Sequence, residues 1–267
     1  MSHLSRTPAS ICQGVILAVL AILPSVTRAQ VATPVKNIVL VHGAFADATS
    51  WSKVIPLLES DGYSVVAVQN PLISFSQEVA AVKRMIALQD GPVLLVAHSW
   101  GGAVITQAGD DPKVVGLVYI SAYAPDAGQS ANEQSSRYGW TEGQKQIQIA
   151  EDGFATLSKI GMFEDVANGL SEVEKRLAFA VQGQSYGPMF SEKLTIAAWK
   201  RKPTWALISD QDRMLPPAME QMMAQRMGAE ALVLSACHMV ILELPEKVAG
   251  FINQAANKLV GAIQATA

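Results

Sequence analysis

The sequence predicts an α/β protein, a mostly parallel sheet flanked by helices and interrupted by one inserted helical cap. Two observations carry that prediction. Short, largely apolar runs at 37–41, 64–68, 93–96, 114–120, 204–209 and 231–236, the one at 93–96 β-branched, are separated by amphipathic stretches. This is the rhythm of repeated strand–helix–strand units, which build parallel sheets with helices on both faces. The rhythm stops after Tyr123-Ala124-Pro125-Asp126 and returns only at Thr204. The intervening stretch, about residues 125–200, shows helical patterns such as 172–181, divided by Gly and Pro, and reads as the cap.

Each element follows from its own residues. The first run, 37–41 (NIVLV), suits a strand buried on both faces and ends at His42-Gly43-Ala44-Phe45. A helix is expected over about 51–59, stopped by Asp61-Gly62, and the second strand over 64–68. Residues 76–88 place Val79, Val82, Met85 and Ile86 at helical spacing. The third run, 93–96, leads straight into Ala97-His98-Ser99-Trp100-Gly101-Gly102, and Ala103-Val104-Ile105 opens another apolar helix. A strand, a very tight turn and a helix leave Ser99 at the apex, facing a helix N-terminus. After the cap come a helix near 217–227, a strand at 231–236 and a terminal helix from about Pro245. In such sheets, sites gather at the carboxyl ends of the strands.

The whole chain sets bounds on function. Its 267 residues, half of them apolar and 16% charged, suit one domain with an insertion. The formal charge is -3 and no Lys/Arg cluster is present, which argues against a nucleic-acid or acidic membrane partner. Residues 1–29 read as a secretory signal peptide. Arg6 lies in an acid-free opening, residues 14–23 form an apolar run too short to span a bilayer, Pro24 breaks it, and Thr27-Arg28-Ala29 offers a cleavage site before Gln30. Loss of Arg6 and Arg28 takes the mature charge to -5. The mature domain, 30–267, is then expected in a bacterial periplasm or exterior, with no stable membrane anchor. Cys12 leaves with the leader, so Cys237 has no partner for an internal disulfide and reads as a buried, inert thiol.

A serine hydroxyl becomes a nucleophile only when a base takes its proton and a third group holds that base. Of the four His, His3 lies in the leader, and His42 and His98 abut tight turns at strand ends, where they read as structural. His238 remains, directly after the final strand. The strand at 204–209 ends at Asp210-Gln211-Asp212-Arg213, ahead of Leu215-Pro216. Asp212, Asp210 and, after the preceding strand, Asp126 are the candidate acids.

The Ala97-to-Gly101 turn resembles the nucleophile elbow of the α/β-hydrolases, with Ala97 where the usual G-x-S-x-G pattern has Gly. The order Ser, acid, His and the His42-Gly43-Ala44 loop extend the resemblance over essentially the whole mature chain. With Trp51 opening the next helix and no strand before His42, the chain resembles the compact branch that contains plant methylesterases, hydroxynitrile lyases and bacterial relatives. The resemblance implies an α/β-hydrolase fold with Ser99 as nucleophile and His238 as base. Asp212 takes the family's usual acid position, with Asp210 and Asp126 as alternatives. It also implies an oxyanion hole of the Ala44 and Trp100 backbone N–H groups, in a carboxylic ester hydrolase that uses neither cofactor nor metal. The lyases carry Lys directly after the catalytic His; Met239 stands there instead, which weakens a lyase reading. Phe45, Tyr123 and Met239 are expected to contact substrate. Phe154, Met162, Phe163, Tyr186, Met189, Phe190 and Trp199 supply the cap with candidate pocket walls. A small to medium, largely apolar ester or lactone is the expected partner, cleaved through an acyl-enzyme on Ser99. A non-hydrolytic use of the fold, as a small-ligand receptor or a cofactor-free perhydrolase or lyase, is the alternative.

Overall fold

Six parallel strands form the central sheet of the computed structural model, which describes residues 35–265 and, before them, only Met1 and His3. Side chains are described as far as Leu259. The leader expected over 1–29, Cys12 included, otherwise lies outside the described residues.

In chain order the elements are β1 (Asn37–Val41), α1 (Ile55–Ser60), β2 (Ser64–Val68), α2 (Phe75–Ala87), β3 (Val93–Ser99), α3 (Gly101–Ala108) and β4 (Val114–Ala122). The insert then contributes α4 (Ala131–Ser135), α5 (Glu142–Lys145), β5 (Ile147–Ile149), β6 (Phe154–Leu157), α6 (Glu172–Ala180) and β7 (Ser185–Tyr186). The chain returns to the main sheet with β8 (Thr204–Ser209), α7 (Pro217–Met227), β9 (Glu230–Leu234), α8 (Val240–Glu243) and α9 (Pro245–Ala265). The sheet order is β2-β1-β3-β4-β8-β9, with every neighbouring pair parallel.

The alternation of side chains along a strand divides the core into two layers. Val39, Val41, Leu95 and Ala97 point to one face, where they meet Val82 and Ile86 of α2 and Val104 of α3. Ile38, Leu40, Leu94 and Val96 point to the other and meet Leu58 of α1 and Ile252 and Leu259 of α9. All eight strand side chains are fully buried. Burying a Val, Leu or Ile side chain is worth about 1.5–3 kcal/mol, so the two central strands alone anchor the platform on which the site stands.

Two local differences from the sequence reading have physical causes. The helix expected from Trp51 begins later. The chain first makes a 3-10 turn over Ala48–Trp51, capped by Asp47 accepting from the Thr49 N–H, and α1 starts at Ile55 with Pro56 in its first turn. The insert adds to its helices a three-stranded antiparallel sheet, β5-β6-β7, separate from the main one. These strands are three, four and two residues long, too short to show alternation, and β7 pairs across a long gap in sequence. The helices of the insert do carry local signals. In α4, α5 and α6, Ser130/Glu133, Thr141/Gln144 and Ser171/Glu174 each form a reciprocal capping box.

Candidate active site

The turn after β3 is held by its smallest residues. Ser99 has φ +54°, the left-handed region that a side chain occupies only when its surroundings impose it. A Cβ on Gly102 would lie 2.1 Å from the Tyr123 carbonyl oxygen, and one on Gly101 2.7 Å from that of His42. Neither position admits a side chain, because the first turn of α3 is pressed against the backbone leaving β1 and β4. Ala97, in contrast, is fully buried in the sheet core, where its methyl is accommodated.

Three side chains from three loops meet at this turn. The Ser99 Oγ lies 2.9 Å from His238 Nε2, and His238 Nδ1 lies 2.6 Å from Asp212 Oδ2. The other Asp212 oxygen, Oδ1, accepts the Met214 and Leu215 backbone N–H groups, both at 2.7 Å. Because Asp212 is an acceptor on both oxygens, His238 Nδ1 carries the proton and Nε2 is left to accept from the serine hydroxyl. All three residues are buried. Asp210 is exposed and accepts from the neighbouring Gln211 side chain, while Asp126 pairs with Lys200 at 2.5 Å; neither contacts His238.

The two remaining histidines brace the surrounding backbone. His98 Nε2 donates to the His238 carbonyl at 2.8 Å, and the two rings lie 4.7 Å apart. Burial, reinforced by the neighbouring His238, pushes the His98 imidazole well below its usual range, so it stays neutral. His42 Nδ1 donates to the Gly43 carbonyl at 2.8 Å, and its Nε2 accepts the Asn70 N–H at 3.0 Å. This pins the loop after β1 against the serine: a Cβ on Gly43 would lie 2.7 Å from Ser99 Cβ. The next residues, Ala44 and Phe45, line the same space. Phe45 has φ +56°, and its N–H donates to Ser185 Oγ at 3.1 Å, tying the loop to β7 of the insert.

Above Ser99 and His238 lies a cavity of about 900 Å³, walled mainly by apolar side chains. Phe45, Trp100, Tyr123 and Met239, all singled out in the sequence, line it. Of the seven cap residues expected as walls, Met162 and Phe190 do so. The others pack elsewhere: Phe154 lies against Tyr186 and Phe163 meets Phe179 edge-on within the cap, while Trp199, under Arg226 of α7, and Met189 are buried in the main core. The sequence reading missed Trp140, Ile147, Leu157, Val166 and Leu177, which belong to the insert's share of the wall. Polar groups line it too, among them Ser135, Gln144 and the Lys53–Glu174 pair. No group of three or more His, Cys, Asp or Glu gathers as a cation site among the described residues.

Residues 38–251 match the model of the alpha/beta hydrolase family. The chain belongs to that family. Norfluorocurarine synthase 2 from Strychnos sp is 25% identical over 270 residues, spanning 85% of this chain and 98% of its own length. Methylesterase 7 from Arabidopsis thaliana is 33% identical over 107 residues, 34% of this chain and 41% of its own length. The crystal structure of polyneuridine aldehyde esterase superposes with a TM-score of 0.75 at 20% identity, covering 83% of this chain and 99% of that one. At that identity the superposition establishes the shared fold.

Behind the wall of this alpha/beta hydrolase site stands a buried acid that the sequence reading passed over. Glu78 of α2 accepts from Asn70 Nδ2 at 2.9 Å, the Leu72 N–H at 2.6 Å and Trp100 Nε1 at 3.2 Å. It thus fixes the indole of Trp100, which also packs edge-on against Phe75 and Phe190. Burial raises the Glu78 carboxyl from 4.5 to about 7, with the three donors pulling the other way. The folded chain therefore holds a proton that the unfolded chain releases between these values. Raising the pH through that window costs the fold up to about 3 kcal/mol from this one residue, with no further loss from it above the window. Urea unfolding at about pH 5 and about pH 8 measures the drop, and Glu78→Gln is expected to reduce it by that amount. An equal drop in the variant would contradict the assignment.

The lone described cysteine has a different character. Cys237 is buried, and desolvation, with the Glu243 carboxylate beside it, pushes its thiol up to about 12. A thiol so hard to ionise is a poor nucleophile.

Proposed function

We propose that the protein is a serine-dependent carboxylic ester hydrolase acting on small to medium, largely apolar esters or lactones. The observation that carries this reading is the chain of hydrogen bonds Ser99–His238–Asp212 at the floor of the 900 Å³ apolar cavity. Ser99 Oγ attacks the ester carbonyl as His238 Nε2 takes its proton, and Asp212 holds the ring and offsets the imidazolium charge. The backbone N–H groups of Ala44 and Trp100 receive the oxyanion, one from the loop after β1 and one from the start of α3. His238 then returns the proton to the departing alcohol. The acyl-enzyme is opened by a water that His238 deprotonates in turn, and Ser99 is regenerated.

The names of relatives, a methylesterase and an esterase among them, support ester hydrolysis. The apolar lining next to Ser99, with Phe45, Trp100, Tyr123, Phe190 and Met239, supports an uncharged substrate: a carboxylate placed there would lose its hydration without gaining a partner. Export through cleavage before Gln30 belongs to the same reading, supported by the residue pattern of 1–29.

A panel of p-nitrophenyl esters tests the proposal. Turnover is expected for acyl chains from acetyl upward, with a loss of about tenfold or more when the acyl chain ends in a carboxylate. Absence of turnover across the panel, with tight binding of an intact small ligand, would instead favour a receptor.

A further inference from the structure

Asp212 faces a second carboxyl group that the reaction as described does not use. Glu220 lies in the first turn of α7, with 3% of its surface exposed. Its two oxygens are fully buried, and no N–H or O–H of the described residues donates to either in an ordinary hydrogen bond. The Ser209 backbone bears on the carboxyl without a hydrogen bond of ordinary geometry. The ionisable side chain that bears on it is Asp212. A carboxylate buried without a donor and against a second carboxylate is far too costly to persist. The same group carrying a proton is satisfied at once, because it becomes a donor to Asp212.

Asp212 has room for that donor. A carboxylate offers about four lone-pair positions. Met214 and Leu215 occupy those of Oδ1, and His238 Nδ1 occupies one of Oδ2. One position is left.

We infer that Glu220 is a neutral carboxylic acid that donates its proton to Asp212 and thereby sets how much negative charge Asp212 presents to His238. Glu220 is in this sense a positioning residue: it acts on the serine chemistry through Asp212, and the inference rests on the proposed role of Ser99, His238 and Asp212. The direction in which its carboxyl is displaced agrees. Burial, then the charge of Asp212 and the bond to it, push the group well above the usual carboxylate range. The other titratable group that feels Glu220 is Tyr123, whose phenol burial raises to about 12, so it stays neutral. Arg226, on the same helix, is engaged elsewhere by the Ala124 carbonyl.

Removal of the donor leaves the Asp212 charge undiluted and steadies the imidazolium. The acidic limb of the kcat/KM profile should therefore move to higher pH. Glu220→Met, close in size and unable to donate, is expected to raise that limb by about half a unit or more. Glu220→Gln, whose amide N–H can replace the acid proton, should return the limb to its wild-type position. A limb that stays put in a folded Glu220→Met variant, or that moves equally in both variants, would overturn the inference. Should Glu220→Met not fold, infrared difference spectra of wild type against Glu220→Gln decide the matter. Recorded above the range in which Glu78 titrates, they should contain a protonated carboxyl C=O band belonging to the wild type. Its absence would overturn the inference. This band does not depend on turnover, so failure of the hydrolase reading itself would show separately, as loss of ester cleavage by the wild type.

Discussion

Ser99→Ala is expected to lower kcat/KM for p-nitrophenyl acetate by about 10⁴ or more while leaving the fold intact. The size of the effect follows from what the hydroxyl supplies. It is the one described group that both contacts His238 Nε2 and stands at the tight turn between β3 and α3, beside the loop carrying Ala44. Stability should change little, because Ser99 already bears the cost of φ +54° and Ala bears the same cost. Activity and circular dichroism measured on the same preparation separate the two effects. Near-full activity in the variant would remove Ser99 from the mechanism.

Asp212→Asn should have the next largest effect, a fall of about 10³–10⁴ in kcat/KM. The reason lies in the two backbone N–H groups at Oδ1. An asparagine must turn its carbonyl toward Met214 and Leu215, since its NH2 group there would oppose two donors. The NH2 then faces His238 Nδ1, which must accept rather than donate. The imidazole proton is forced onto Nε2, where it meets the Ser99 hydroxyl and can no longer receive its proton. Asp210→Asn should change kcat/KM by less than about threefold, because the Asp210 side chain is exposed and meets only Gln211. Kinetics on the two single variants give the comparison directly. A larger loss in the Asp210 variant would reverse their roles.

The site was legible in the sequence wherever its residues sit next to strands. Ser99, His238 and Asp212 each come at or just after the end of a short apolar run, and such runs are local signals that fix where a loop begins. Ala44 and Trp100, singled out as neighbours of those strand ends, line the cavity. Glu78 and Glu220 were not, because an acid in an amphipathic helix is ordinarily part of its solvated face. Their positions did carry a clue. Glu78 precedes Val82 by four residues and Glu220 precedes Ala224 by four, which puts each acid on the apolar side of its helix. The strands β5, β6 and β7 were illegible for another reason: pairing between segments that are short and distant in sequence leaves no periodicity to read. The cap's aromatic residues show the limit of composition. Phe190 faces the cavity, Phe163 packs within the cap and Trp199 joins the main core, a distinction that only their packing makes.

The most direct test of the account is the intact mass and peptide map of the protein after reaction with diethyl p-nitrophenyl phosphate, followed alongside esterase activity. The account predicts a single diethylphosphoryl adduct on the peptide containing Ser99, with activity falling in proportion to labelling and no adduct in Ser99→Ala. Turnover persisting with Ser99 fully labelled, or activity lost with the adduct on another residue, would contradict it.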